Sequence, residues 1–316
     1  MYKSFYNLNR NPFEITPDPK FLFPTTRHNE ALASLYYGVR SNRGFVVLTG
    51  EVGTGKTLIL RSLLGLLQQR EVAFALIFNP TLSPMEFIRY IARDFGLAVA
   101  DKPKDELIHL LNGFLLQRHE KKLTTILVVD EAHHLSMEIL EEIRLLTNLE
   151  TSQQKLLQIV LAGQPELDAK LDSYELRQLK QRVALRCHLE PLTLAETGAY
   201  VNQRLKIAGA IGPNHIFTSH AIEAVFGYSQ GIPRIINTIC ENALLAGYAK
   251  HAATITSEII DDVARDLRLG VQAVEPRHTE FDVSMEEQHR DVLQAVKTLL
   301  DMRDRMHEKD TKRRLQ

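Results

Sequence analysis

The chain has 316 residues, with 38 Lys and Arg against 39 Asp and Glu, and a formal net charge of −1. That balance gives no global basic signature of nucleic-acid binding; only a local basic patch would provide one. Hydrophobic residues make up 44% of the chain, enough for a sizeable core in two domains or in one α/β domain with a smaller lobe. Cys187 and Cys240 lack metal or redox spacing, sit in apolar segments and read as buried thiols. No apolar run approaches the roughly 18 residues of a membrane span. Met1–Phe5 opens without a signal-peptide core, so a cytoplasmic location is expected.

Residues 1–24 are rich in aromatics and proline and read as an ordered arm lying on a surface. Arg27–Val39 reads as a helix. Phe45–Thr49 is an apolar run of strand type, and Leu58–Leu64 is helical. Between them the octet Gly50-Glu51-Val52-Gly53-Thr54-Gly55-Lys56-Thr57 fits the phosphate-binding pattern G-x-x-x-x-G-K-[ST]. Its glycines let several backbone N–H groups converge on one anion, and the following helix adds the positive end of its dipole. Lys56 would reach the β/γ-phosphates of ATP, and the Thr57 hydroxyl would hold Mg²⁺.

Strands and helices then alternate, the pattern of a parallel sheet with right-handed crossovers. Ala73–Phe78 is a strand, and Ser83-Pro84-Met85-Glu86 opens a helix with a capping box. Pro103–Lys121 is a further helix. Thr125–Val129 is a continuous apolar run, as a strand buried on both faces requires, and it ends in Asp130-Glu131. Asp130 would orient Mg²⁺, and Glu131 would polarise the attacking water. The competing explanation is an acidic cap for the helix at 136–148. His133-His134 follow without a third ligand and read as a loop feature rather than a metal site. Leu156–Ala162 is the fourth strand and Val183–Leu189 the fifth. After Pro191 the strands stop, Thr193–Glu196 forms a capping box, and three or four helices run to about Leu267.

These residues resemble an AAA+ ATPase, and within that class the ExeA/GspA type. The resemblance rests on the arm with Phe5-Tyr6, Leu8 and Pro12-Phe13, followed by Thr16–Pro19. It also rests on the octet, on Val129–Ala132 and on Leu161–Leu167. Leu176–Arg182 and Gly231–Asn237 complete it, so that it covers about residues 1–268. It implies a P-loop NTPase with a parallel five-stranded α/β core at 41–191, a helical lid at 192–270, and an arm and first helix at 1–40 packed on the core. Residues Gly50–Leu58 and Asp130 would bind ATP, and Thr57 and Asp130 the metal. The resemblance also places Gln164 at the sensor-1 position and Arg234 at sensor 2. It would make Arg182 an arginine finger reaching the next subunit, with Arg177 and Arg186 as rivals. Pro12-Phe13 and Ile236 either line an adenine pocket or pack in a core.

The resemblance implies an ATP-hydrolysing assembly factor for a cell-envelope machine of secretion, pilus or polysaccharide export. It would act as a homo-oligomer, ring or filament, with an unidentified protein partner that could hold it at the inner membrane. The alternative is an ATP-dependent, DNA-associated regulator that recruits a transposase, which the charge balance disfavours. A scaffold with little turnover is a third reading, and the presence of Glu131 argues against it. The 271–316 segment falls outside the resemblance and reads as a linker at 271–284 followed by a charged amphipathic helix with its stripe at Met285, His289, Val292, Val296, Leu299 and Met306.

Overall fold

In a computed structural model the described residues are 2–14, 23–67, 72–78, 82–152, 154–210 and 216–270. The expected linker and tail helix, and Thr16–Pro19 of the arm, lie outside them. Among the described residues the chain divides into two compact units. One takes 26–49 and 62–188, and the other takes 2–25, 50–61 and 189–270.

The first unit is a five-stranded α/β sheet built from β1 (Phe45–Gly50), β2 (Ala73–Ile77), β3 (Thr125–Val129), β4 (Gln158–Gly163) and β5 (Leu185–Leu189), in the order β2-β3-β4-β1-β5. β2–β3, β3–β4 and β4–β1 pair in parallel. β1, β3 and β4 are buried along their whole length, which is why their central residues read as apolar runs. Their register sets Thr49 opposite Gly163 and Val129 opposite Leu161. The carboxyl ends of the central strands therefore share one edge, the edge where open α/β sheets place their ligands.

β4 starts at Gln158 rather than Leu156, because Lys155 bridges back to Glu150 and the Leu156 N–H donates to Leu149 O. β5 likewise starts at Leu185, since the Val183 N–H closes a turn onto Lys180 O. Helices cover the sheet with Leu35, Ile88, Ile91, Leu107, Leu111 and Ile143, all essentially inaccessible to solvent. The helix Pro84–Asp94 begins with Ser83 and Glu86 capping each other's backbone as expected.

The second unit is helical. Four helices, Leu194–Ile207, Ser219–Ser229, Pro233–Ala249 and Ser257–Asp266, enclose a core containing Val225, Ile236, Ile239, Leu244 and Ile260. The first of these carries the Thr193–Glu196 capping box. The arm belongs to this unit: Phe13 is fully buried edge-on to Phe217, at 6.0 Å between ring centroids. The buried Arg204 donates to the Pro12 carbonyl at 2.6 Å and to the Tyr200 hydroxyl at 2.5 Å. Fastening the arm through a charged donor keeps both polar groups satisfied within the core.

Candidate nucleotide site

The phosphate loop lies in the helical unit. Gly53 and Gly55 have φ of +84° and +105°, left-handed conformations that side chains resist. Lys56 opens the helix Lys56–Leu67, and its buried ammonium donates to Gly50 O at 2.8 Å and Glu51 O at 3.0 Å. The Thr54 hydroxyl donates to Glu51 O at 2.8 Å. A loop wound in this way around a positive charge at a helix N-terminus suits a polyphosphate.

Arg234 stands beside this loop. It lies in the first turn of the helix Pro233–Ala249, where Pro233 occupies a position with no need of an N–H donor. Its backbone N–H donates to Gly53 O at 3.3 Å. A Cβ placed on Gly53 would lie 2.7 Å from Arg234 Cβ. The Arg234 side chain itself is exposed.

The sheet unit holds the acidic residues. Asp130, at the end of β3, is 3% exposed and its Oδ1 accepts the Glu131 N–H at 3.0 Å. Its own N–H donates to Ile77 O across the sheet. Glu131 takes the left-handed conformation (φ 53°, ψ 36°) and leads into a 3₁₀ turn, Ala132–His134. Although its side chain is 44% exposed, Oε2 is enclosed without a hydrogen-bond partner, 3.5 Å from His133 Nδ1. Gln164 follows β4 directly and sets its side-chain nitrogen 2.8 Å from His133 Nε2. The imidazole between Gln164 and Glu131 is the element that the sequence does not reveal. Its place two residues after Glu131 is the one signal there that could have pointed to it.

The model of the AAA domain family matches residues 39–171. Over 251 residues, 79% of its length, the chain is 46% identical to the General secretion pathway protein A of Aeromonas hydrophila. The chain belongs to the AAA+ ATPases of this GspA type. It spans 45% of that relative's length. Among solved structures it is similar to the ORC2 protein of Aeropyrum pernix in its ADPNP–ADP complexes, with a TM-score of 0.60 and 15% identity over 82% of this chain and 72% of that one. Cdc6p of Pyrobaculum aerophilum gives a TM-score of 0.59 and 19% identity, with coverages of 84% and 70%. A RuvB variant of Thermotoga maritima gives 0.51 and 16%, with coverages of 78% and 70%. At such identities the likeness is one of fold, the nucleotide-binding P-loop AAA+ architecture.

The three arginines expected as rivals for a finger position differ in their surroundings. Arg186 pairs with Asp168 at 3.2 Å and Asp172 at 3.1 Å. Arg177 is exposed and stacks over the Tyr174 ring, 4.2 Å from its centroid. Arg182 is half-buried near Glu150, whose carboxyl is held below its usual range chiefly by Lys155 and at longer range by Arg182. Phe13 and Ile236 are fully buried members of the helical core, so packing accounts for both. Burial raises the Cys187 thiol to about 11 and that of Cys240 further still. Among the described residues no group of three or more His, Cys, Asp and Glu gathers as a metal site, and no helix is long and apolar enough to cross a membrane.

Proposed function

We propose that this chain binds and hydrolyses ATP as an oligomeric assembly factor for a cell-envelope secretion machine. The observation that carries the reading is the Gly50–Thr57 loop, wound on the Lys56 ammonium at a helix N-terminus. The secretion context is taken from the GspA relative, and a partner protein at the inner membrane fits it.

In this reading the loop amides and Lys56 hold the phosphates, with Arg234 adding charge from the adjoining helix. Thr57 and Asp130 would hold Mg²⁺, which neutralises phosphate charge. The buried Asp130 carboxylate has the hard oxygen donors that this ion takes. Glu131 accepts a proton from water as the water oxygen bonds to the γ-phosphorus and ADP leaves. Gln164 orients that water or the phosphate, and Arg182 of a neighbouring subunit meets the developing charge. Such positioning and charge neutralisation supply most of the rate in phosphoryl transfer.

Glu131→Gln tests the reading, because the amide keeps the shape but cannot take the proton. ATP binding should persist while turnover falls about 100-fold or more, the scale of a positioned general base. Turnover within a few-fold of the wild type would remove Glu131 from the chemistry.

A further inference from the structure

His133 occupies the space between the two polar groups delivered by β3 and β4. Its side chain is 8% exposed. Nε2 lies 2.8 Å from the Gln164 side-chain nitrogen. Nδ1 lies 3.4 Å from the Gln164 backbone nitrogen, whose N–H points to it, and 3.5 Å from Glu131 Oε2. The backbone that carries the ring is fixed. The Lys170 ammonium donates to the carbonyls of His133 at 2.7 Å and Leu135 at 2.9 Å. Gly163 lets this segment approach the end of β4 so closely that a Cβ there would be 3.1 Å from His133 N. Glu131 takes the left-handed region, which non-glycine residues uncommonly occupy. Its enclosed oxygen lies a few tenths of an ångström beyond hydrogen-bond reach of the imidazole.

We propose that His133 is a positioning residue that couples the Gln164 side chain to the Glu131 carboxylate, so that what Gln164 binds sets where the base points. The proposal rests on the ATPase reading above. A neutral imidazole has one N–H and one acceptor nitrogen, so its two tautomers give two arrangements. With the proton on Nδ1, the ring donates to Glu131 and accepts from the Gln164 amide. With the proton on Nε2, the ring donates to the Gln164 side-chain oxygen once that amide is turned, Nδ1 accepts the Gln164 backbone N–H, and the carboxylate is released. A shift of the Gln164 side chain therefore changes which way the ring serves, and Glu131 follows.

The test is steady-state ATP turnover and fluorescent-nucleotide binding by the full chain. His133→Phe keeps the shape without the polar atoms, and His133→Asn returns a donor near the Nδ1 position. The phenylalanine variant should lose about 10–100-fold in kcat while KM and nucleotide Kd stay within roughly 3-fold. His133→Asn should recover part of that loss. In a Glu131→Gln background, His133→Phe should change turnover by less than about 2-fold, because groups acting through one another are not additive. Unchanged kcat in both single variants overturns the proposal, as does a full multiplicative loss on top of Glu131→Gln. Nucleotide affinity or melting temperature falling in step with kcat in both would show a merely structural ring and also overturns it. If His133→Phe does not fold, His133→Asn in the two backgrounds decides alone. A wild-type chain that neither binds nor turns over ATP sinks the parent reading, a result distinct from any of these.

Discussion

The Arg234 backbone N–H donates to the Gly53 carbonyl at 3.3 Å, which ties the first turn of the helix Pro233–Ala249 to the tip of the phosphate loop. Gly53 has φ of +84°, and a Cβ there would lie 2.7 Å from Arg234 Cβ, a distance real side chains do not tolerate. Gly53→Ala should therefore displace the loop, weakening nucleotide binding at least ~10-fold and costing roughly 1–3 kcal/mol from the backbone conformation alone. Gly65 is the internal comparison. It lies within the helix Lys56–Leu67, and a Cβ added there would meet nothing within 4 Å, so Gly65→Ala should stabilise by about 0.5–1 kcal/mol. Thermal melting and nucleotide titration of the two variants, side by side, check both statements. Equal behaviour would show that the Gly53 contact carries no constraint.

Lys56 serves the loop as well as any ligand. Its ammonium satisfies the Gly50 and Glu51 carbonyls from a position only 6% exposed. Lys56→Ala removes a charge that would balance phosphate and leaves two carbonyls without their donor. Fluorescent-nucleotide titration should show no saturable binding at concentrations that saturate the wild type. Near-normal affinity would remove Lys56 from the site.

Much of the sheet was legible because burial on both faces leaves an unambiguous mark: Phe45–Leu48 and Thr125–Val129 are unbroken apolar runs and are strands in full. The capping boxes at Ser83–Glu86 and Thr193–Glu196 were legible because both partners sit within one turn. Relationships made through space were not. Nothing local to Arg186 announces Asp168 and Asp172, and nothing in Pro12-Phe13 announces Arg204 and Phe217. His133 shows the same boundary within the candidate site. Its sequence neighbours name it a loop histidine, and only the register of β3 against β4 brings Gln164 to its ring.

Gly231 is another glycine whose backbone admits no side chain. It follows Gln230, itself left-handed at the end of the helix Ser219–Ser229, and has φ of +73°. A Cβ would stand 1.8 Å from Leu192 O, while the Leu192 N–H donates to Gly231 O at 2.9 Å. Relief would require breaking that hydrogen bond and moving the start of the helix that carries Arg234. Gly231→Ala should cost at least the roughly 1–3 kcal/mol of a left-handed alanine, visible by calorimetry as an earlier transition. An unchanged melting profile would contradict the close approach.

Arg182 supplies the last prediction, which bears on whether the site is completed by a second copy of the chain. Arg186 is neutralised by two carboxylates of its own subunit and Arg177 is stacked on Tyr174. To reach a neighbour, Arg186 and Arg177 would each have to give up a partner within their own subunit. Arg182→Ala should therefore spare nucleotide binding and lower turnover by about 10³-fold or more, the low end for an arginine finger. If the residue acts in trans, mixing Arg182→Ala with Lys56→Ala should restore part of the activity, since a mixed interface joins an intact phosphate loop to an intact arginine. Turnover of the mixture plotted against mixing ratio should then pass through a maximum near equal parts. A flat line at the level of the inactive parents would place the arginine in its own subunit's site, and full activity of Arg182→Ala alone would remove it from the chemistry.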